Sequence, residues 1–317
     1  MRFLLLLYIL ISPTFALAQL NSNAFLDTGL KLELDPAYPS PAEEVTVNLN
    51  DYGSSFYGAE LTWYLNEKVI PNTANQRSIV ITANSVGTKD ILKLVLKTPT
   101  QTEIITTKIE PMYLDIIVEP QTHVPSFFEG RSLPSIGSLV NLTALISNKK
   151  MLGSDFIYTW RVNQKVLEGG ALRGRNKVSF ITPQDTNIFV SLQVATLNGA
   201  VLAKRSVILP SVQPYIHFYE MNTLYGLENK SLKDDFFLLG NSATIKATPY
   251  YLDSQTYNAP NILDWTINST KVTSSNENPY EITLQKTGYP GTANLELHVR
   301  STTQLLQGAR GSIGINI

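Results

Sequence analysis

The sequence has 317 residues, of which 43% are hydrophobic and 16% are charged, and its formal net charge at pH 7 is −1. This composition is typical of folded domains, and the near-zero net charge gives no electrostatic reason to expect nucleic acid or an anionic membrane surface as a partner. The absence of cysteine excludes disulfides, thiol catalysis and cysteine-ligated metals.

Residues 1–18 have the pattern of a secretory signal peptide. Met1-Arg2 is a short basic start, residues 3–15 form an apolar run, and Ala16-Leu17-Ala18 is a small-residue cleavage motif. We expect cleavage before Gln19 and a chain exported to the periplasm, the cell surface or the medium. The alternative is an uncleaved amino-terminal anchor, the one route by which we expect membrane association. The apolar run is shorter than the ~20 residues that a spanning helix needs.

Three tryptophans, Trp63, Trp160 and Trp265, occur in one repeated pattern. They are 97 and 105 residues apart, and each is followed three residues later by an asparagine. Apolar and polar residues alternate around them, which places the indoles on the buried face of a strand. We therefore expect three core indoles, and we expect the asparagines to begin turns in left-handed backbone. The alternative for the tryptophans is an exposed ligand platform.

The repeat extends beyond the tryptophans and defines an all-β organisation. Alternating strands are expected upstream at residues 42–49, 137–144 and 240–247, and downstream around Leu94, Leu192 and Leu297. The pattern predicts a signal peptide (residues 1–18) and three tandem immunoglobulin-like β-sandwich domains at residues 19–111, 112–212 and 213–317. Both junctions contain proline and neither is a Gly/Ser linker, so adjacent domains should abut with limited swing.

The repeated strand resembles that of the immunoglobulin-like and polycystic-kidney-disease-type sandwich repeats common in bacterial surface proteins. The first two copies read W-x-x-N-x-K-V, and the third has one additional residue before Lys271. Tyr158-Thr159-Trp160 is similar to the second family, although the Gly-Asp-Gly turn usual there is absent. The resemblance covers nearly all of the mature chain. It implies adhesion, spacing or assembly outside the cytoplasm, and it carries over no catalytic residue.

The copies differ most between their first and second strands. The second and third copies have long insertions there, at residues 121–136 and 222–239, and insertions in repeat proteins collect on loops that bind partners. The candidate partner-binding residues are Phe127, Phe128, Tyr225, Phe236 and Phe237. The alternative interpretation is that the four phenylalanines cover a sheet edge or pack against the neighbouring domain.

No catalytic, cofactor or metal site is expected. Asp234-Asp235 and Glu228 lack the run of spaced oxygen ligands of a calcium site, and the three histidines are too scattered for zinc or for a catalytic base. The basic residues 172–177 are expected to form a solvated turn, with contact to an anionic glycan as the alternative.

We predict an exported, non-enzymatic spacer or adhesive protein of the cell envelope, with a role in a pilus-type or export assembly. Its expected partner is an exported protein or a surface glycan. One alternative is a carbohydrate-binding module array, for which a pair such as Tyr250-Tyr251 would serve as a stacking platform. A glycoside hydrolase is the other, because paired carboxylates meet only in the folded chain and escape a sequence search.

Overall fold

The computed structural model describes residues 29–52, 56–147, 153–222, 224–233, 235–274, 277–286, 288 and 290–317. The predicted signal peptide lies outside these residues. The described chain is all-β, as predicted: apart from a 3-10 turn at Gly153–Asp155 and the short helix α1 at Ser254–Asn258, its regular structure consists of strands β1 to β24. None of the helices in this part of the chain has the length and apolar character needed to cross a bilayer.

The strands fall into three consecutive sets, each with two sheets. The first set has sheet orders β1-β2-β5 and β4-β3-β6-β7. Its strands are β1 (Leu30–Asp35), β2 (Glu44–Asp51), β3 (Glu60–Leu65), β4 (Lys68–Val69), β5 (Ser78–Thr82), β6 (Asp90–Lys97) and β7 (Thr102–Ile109).

The second set has sheet orders β13-β9-β8 and β11-β10-β14-β15, with β12 beside β10. Its strands are β8 (Tyr113–Pro120), β9 (Leu139–Ser147), β10 (Ile157–Val162), β11 (Lys165–Val166), β12 (Leu172–Arg173), β13 (Lys177–Ile181), β14 (Asn187–Ala195) and β15 (Val201–Pro210).

The third set has sheet orders β17-β16-β19-β22 and β18-β24-β23-β20-β21. Its strands are β16 (Tyr215–Asn222), β17 (Gly226–Leu232), β18 (Asp235–Phe237), β19 (Ser242–Tyr250), β20 (Ile262–Ile267), β21 (Thr270–Val272), β22 (Glu281–Gln285), β23 (Thr292–Arg300) and β24 (Gly308–Asn316). Residues 222–239, predicted to be a loop, therefore contain β17 and β18, and β18 runs parallel to β24.

In the second and third sets, each pair of sheets encloses one hydrophobic core. Inward-facing residues of β9 pack against those of β10 and β14 in the second set, and those of β19 pack against β20 and β23 in the third. The burial pattern alternates along these strands, which is the period expected for sheets with one face in a core. These two sets are therefore β-sandwiches.

The three tryptophans occupy equivalent positions in the three sets. Each side chain is almost inaccessible to solvent, with exposed fractions of 0%, 1% and 2% for Trp63, Trp160 and Trp265. Each indole nitrogen donates a hydrogen bond to a backbone carbonyl, and these bonds measure 2.9, 2.9 and 3.0 Å. The carbonyl acceptors belong to Gln76, Arg175 and Pro279. An indole buried in this way loses no hydrogen bond on leaving water.

The asparagine that follows each tryptophan begins a tight turn, as predicted. Asn66, Asn163 and Asn268 have φ angles of 50°, 47° and 48°, in the left-handed region that asparagine tolerates better than most residues. The side-chain oxygen of each accepts a backbone N–H from the facing strand, at 2.8 to 2.9 Å. The turn therefore ties the tryptophan strand to its neighbour.

Contact density divides the chain into two compact units. One contains the residues up to Leu34 together with Thr46–Val80 and Ile91–Thr107. The other contains Asp35–Val45, Ile81–Asp90 and Lys108–Ile317, and so includes the whole of the second and third sets. The predicted three-domain division remains a proposal, because the compact units follow different boundaries.

Candidate interaction surfaces

The long insertion between β8 and β9, residues 121–138, forms the junction between the second and third sets. We call it the β8–β9 segment. Each set has two ends, which we name by one strand. The leading end is the end at which β2, β9 or β19 finishes, and the trailing end is the opposite one. The β8–β9 segment lies at the trailing end of the second set, where β9 begins, and contacts the leading end of the third set, where β19 finishes.

Backbone hydrogen bonds hold the β8–β9 segment against the chain that follows β19. The N–H of His123 donates to the carbonyl of Leu252 at 2.7 Å, and the N–H of Tyr251 donates back to the carbonyl of His123 at 2.7 Å. A third bond, 2.9 Å long, runs from the N–H of Ser254 to the carbonyl of Gln121. This is a short antiparallel pairing between two sandwiches, so its geometry is as directional as that of a sheet.

A buried polar network reinforces the junction. Asp253 and Gln307 are each 1% exposed. The Asp253 carboxylate accepts the N–H of Leu139 at 3.2 Å, and the Asp253 N–H donates to Oε1 of Gln307 at 2.8 Å. Nε2 of Gln307 donates to Oγ of Ser135 at 3.0 Å and to the carbonyl of Ile136 at 2.6 Å. Because Asp253, Gln307 and Ser135 are buried, loss of their hydrogen bonds would leave polar groups unsatisfied in the interior, which makes the network costly to break.

Aromatic side chains also pack across the junction. Phe128 lies edge-on to Tyr250 and Tyr251, with ring centroids 5.5 and 6.2 Å apart, and the more exposed Phe127 lies edge-on to Tyr219 at 5.4 Å. The hydroxyls of Tyr219 and Tyr250 are 2.7 Å apart. Burial raises the pKa of Tyr250, and the hydrogen bond with Tyr219 raises it further. The two phenylalanines thus contact the neighbouring sandwich, which was the alternative interpretation of these residues.

His123 of the β8–β9 segment packs against the third set at this junction. Its ring stacks on that of Tyr257 with centroids 3.5 Å apart, and its Nδ1 lies 2.7 Å from the carbonyl oxygen of Pro249. Burial lowers the pKa of His123, so the ring is neutral at neutral pH. The neutral ring donates from Nδ1 to the carbonyl and packs flat on the tyrosine, which is a structural role.

The other predicted partner-binding residues have different environments. Phe236 lies on β18 opposite Ile315 and is buried in the core of the third set, so its prediction as a partner-facing loop residue is wrong. The physical reason is the parallel pairing of β18 with β24, which turns this side chain inward. Phe237 and Tyr225 are exposed. Tyr225 lies at a turn in which the Asn222 side chain accepts the N–H groups of Leu224 and Tyr225.

Phe237 borders a groove at the trailing end of the third set. The groove has a volume of about 580 Å³. Its lining residues are Phe237, Leu238, Leu239, Lys286, Pro290, Gly291, Thr292, Asn316 and Ile317. Phe237 and Leu239 are exposed beside it. An open groove with apolar walls and a single cationic side chain is suited to another protein surface or to an apolar ligand group.

Charged candidates are engaged locally. Arg173 donates to the carbonyl of Ser154 at 2.9 Å and pairs with Asp155 at 3.5 Å, and Arg175 donates to the carbonyl of Glu168. Arg173 and Arg175 of the basic turn at residues 172–177 therefore bind nearby groups of the same set. Asp234 lies outside the described residues. Across the described ranges, no group of three or more His, Asp or Glu side chains converges as metal ligands do.

Sequence reasoning missed Asp253, Gln307 and Ser135. Gln307 is 172 residues from Ser135 along the chain, and Asp253 is 114 residues from Leu139. Nothing local distinguishes these residues from exposed polar residues in turns. The one signal in the sequence for this contact is the insertion itself, because an insertion at a domain boundary can contact the neighbouring domain.

Comparisons with known proteins identify no family. No protein-family model and no curated protein matches the chain. A structure of fibronectin(III)-like modules of Clostridium thermocellum CbhA matches with 14% identity and a TM-score of 0.27, over 58% of this chain and 95% of that one. The first four immunoglobulin domains of Sidekick-1 match with 13% identity and a TM-score of 0.21, over 91% of this chain and 74% of that one.

A third solved structure is the SGBP-B protein of a Bacteroides ovatus mixed-linkage glucan utilization locus, in complex with a heptasaccharide. It matches with 10% identity and a TM-score of 0.23, over 90% of this chain and 70% of that one. Likenesses at this level carry no argument about the ligands or the role of this chain. The assignment to polycystic-kidney-disease-type repeats stays a prediction.

Proposed function

We propose that this chain is an exported, non-enzymatic interaction protein of the cell envelope, in which tandem immunoglobulin-like sandwiches act as a spacer or adhesive element. In this proposal the three domains correspond to residues 19–111, 112–212 and 213–317, after a cleaved signal peptide. The partner is an exported protein, and the setting is a surface assembly of the pilus or export kind.

The observation that carries the proposal is the junction between the second and third sets. Paired backbones, a buried network through Gln307 and the packing of Phe128 hold the two sandwiches together. A protein that must hold binding surfaces at a defined separation needs such fixed joints, because a flexible linker would spread the surfaces over many arrangements.

The buried carboxylates support a non-enzymatic reading. Among the described residues, the acidic residues buried as a whole are Asp90 and Asp253. The Asp51 side chain is 5% exposed and pairs with Arg77 at 3.4 Å. Asp90 accepts the side-chain amide of Asn84 at 2.8 Å, and Asp253 accepts backbone N–H groups and caps helix α1. A glycosidase needs two carboxyl groups that face a shared substrate cleft. Asp90 and Asp253 instead satisfy donors inside the fold.

The test is a crosslinking pull-down from the native cell envelope with residues 19–317 as bait. We expect one or two exported proteins to be recovered at a fixed ratio to the bait. A bait that carries Trp160→Ala, which lacks a core indole, serves as the control for capture by unfolded chain. Recovery of polysaccharide alone would contradict the proposal. Hydrolysis of a glycan by the purified chain, lost on substitution of a single Asp or Glu, would also contradict it.

A second candidate function is a carbohydrate-binding array, which the exposed tyrosines favour. Tyr52, Tyr57 and Tyr225 are largely exposed, and sugar rings stack on such side chains. The pair Tyr250-Tyr251 is not available for this purpose, because both rings pack in the junction. A glycan array probed with the mature chain and with Tyr57→Ser tests this function: binding that the substitution weakens would support it, and an array without hits would dispose of it.

A further inference from the structure

In the first and second sets, the segment that precedes β2 or β9 contacts the chain that follows that set. In the second set, this is the β8–β9 segment, which contacts Tyr250, Tyr251 and Tyr257 of the third set. In the second compact unit, the corresponding residues 36–43 of the first set behave in the same way. The carbonyl of Pro39 accepts the N–H of Met112 at 3.3 Å, and Nζ of Lys204 lies 5.4 Å from the centre of the Tyr38 ring.

The third set has an equivalent segment between the end of β16 at Asn222 and the start of β19 at Ser242. We call it the β16–β19 segment. Strand register places it at the trailing end: Met221 pairs with Thr244 near the start of β19, and Phe237 pairs with Asn316 at the end of β24. Phe127 of the β8–β9 segment is 45% exposed, and the large side chains of this third-set segment are exposed to a greater degree. Tyr225 is 83% exposed, and Leu239, which lines the groove described above, is 93% exposed.

The leading end of the first set has a complementary feature. Tyr52 directly follows β2, as Tyr251 directly follows β19 in the third set. Tyr57 lies in the connection to the tryptophan strand, as Tyr257 does in the third set. Tyr251 and Tyr257 are covered by the β8–β9 segment, whereas Tyr52 and Tyr57 are 77% and 90% exposed.

We propose that copies of this chain associate head to tail, with the β16–β19 segment of one copy docked on the Tyr52 and Tyr57 end of the next. The interface would continue the mode of contact already made inside the chain: an insertion with aromatic and aliphatic side chains packs on tyrosines at the leading end of a sandwich. A second copy is the occupant because both halves of the contact are exposed on the same chain.

An association of this kind joins two different surfaces, so it does not stop at a dimer unless the rotation closes a ring. The expected product is therefore a series of oligomers that lengthens with concentration. Exposed aromatic residues at the centre of such a contact would supply most of the binding free energy. This inference goes beyond the proposed function and does not depend on it.

The test uses sedimentation velocity of residues 19–317 over a range of concentrations. Two variants are compared, and each has one of the two proposed surfaces altered. The trailing-end variant is Tyr225→Ser with Leu239→Ser, and the leading-end variant is Tyr52→Ser with Tyr57→Ser. We expect the unmodified chain to form a concentration-dependent series. Each variant alone should associate at least roughly tenfold more weakly, as truncation of interface aromatic anchors does.

An equimolar mixture of the two variants distinguishes head-to-tail association from non-specific hydrophobic association. Each variant retains one intact surface, so the mixture should form one-to-one dimers and no longer species. The control is Ile208→Ser, which removes an exposed aliphatic side chain from β15 and should associate like the unmodified chain. Circular dichroism of each variant verifies its fold.

Two outcomes would overturn the inference. The first is an unmodified chain that stays monomeric throughout. If the trailing-end variant of such a monomeric chain also loses an exported protein in the envelope pull-down, the surface serves a different chain and the proposed function stays intact. The second is a variant mixture that does not form dimers. An empty pull-down with normal self-association would count against the proposed function alone.

Discussion

At the residue scale, the tryptophans show how one side chain combines burial with hydrogen-bond satisfaction. Alternation around Trp63, Trp160 and Trp265 predicts the inward direction of each indole, and each is almost inaccessible in the structure. The carbonyl that accepts each indole N–H lies 13 to 15 residues further along the chain. This acceptor has no residue-type signature, because any backbone carbonyl serves, and so it is visible only in the folded chain.

Trp160→Ala should lower the free energy of unfolding by ~3 to 5 kcal/mol, because it removes the largest buried side chain of the second core and leaves a cavity. Chemical denaturation followed by circular dichroism measures the change. Ile181→Ala, at an exposed position on β13 in the same set, is the control and should change stability by less than about 0.5 kcal/mol. A cooperative transition unchanged by Trp160→Ala would contradict the core assignment.

At the element scale, local pattern predicts strands well where one face is buried and poorly where it is not. The alternating segments predicted upstream and downstream of each tryptophan correspond to β2, β9 and β19 and to β6, β14 and β23. The insertion at residues 222–239 is predicted to be a loop because insertions in repeat proteins collect on loops. Its strands β17 and β18 form at the edges of existing sheets, where pairing partners rather than hydrophobic period decide the structure.

Glycine positions on β24 show the same dependence on neighbours. A Cβ at Gly311 would lie 2.8 Å from Cβ of Ile216, so glycine is needed where β24 approaches β16 of the facing sheet. A Cβ at Gly308 would lie 2.9 Å from Cβ of Arg300. The glycine-rich terminal strand thus reflects close packing, a reason that the sequence did not reveal.

The asparagine turns provide a prediction at this scale. Asn268→Ala should lower the free energy of unfolding by about 1 to 2 kcal/mol, because alanine is strained at a φ of 48°. Asn268→Gly removes the same side-chain acceptor but tolerates this backbone, so its cost should be smaller. Thermal or chemical denaturation of both variants measures the difference. Equal losses for alanine and glycine would show that the side-chain hydrogen bond, and not the backbone conformation, determines the preference for asparagine.

At the scale of the whole molecule, the junction between the second and third sets is the principal feature beyond the repeats themselves. Sequence reasoning predicted that neighbouring domains would abut, from the prolines and the absence of Gly/Ser linkers. The contacts that hold them are made instead by the β8–β9 segment, more than 70 residues before the chain enters the third set. The bonds of this segment to Gln307, and the bond of Leu139 to Asp253, make the two sandwiches interdependent.

Gln307→Ala should loosen this junction. The substitution leaves the N–H of the buried Asp253 without its partner, at a cost of ~1 to 3 kcal/mol, and removes the bond to the carbonyl of the half-buried Ile136. Peptide-resolved hydrogen exchange should show faster exchange at residues 121–136 and 250–254, with the core strands of both sandwiches less affected.

Gln304→Ala is the matched control for this experiment. Its side chain accepts a hydrogen bond from Thr256, which belongs to the third set, and takes no part in the bonds to Ser135 or Ile136. Exchange in the β8–β9 segment should therefore stay close to that of the unmodified chain. If both glutamine variants accelerated exchange in that segment equally, the special role of Gln307 would be wrong.

The sequence by itself determined the fold class, the spacing of the repeated strands, the inward direction of Trp63, Trp160 and Trp265, and the left-handed asparagine turns. All of these follow from interactions within a few residues or from a period of two, which the order of residues displays directly. Only the tertiary structure decided that Phe236 is buried, that Phe128 joins two sandwiches and that Gln307 lies at the centre of a buried network. Those outcomes depend on residues up to 172 positions apart. Such residues meet only when the whole chain folds, so no local pattern indicates that they are close.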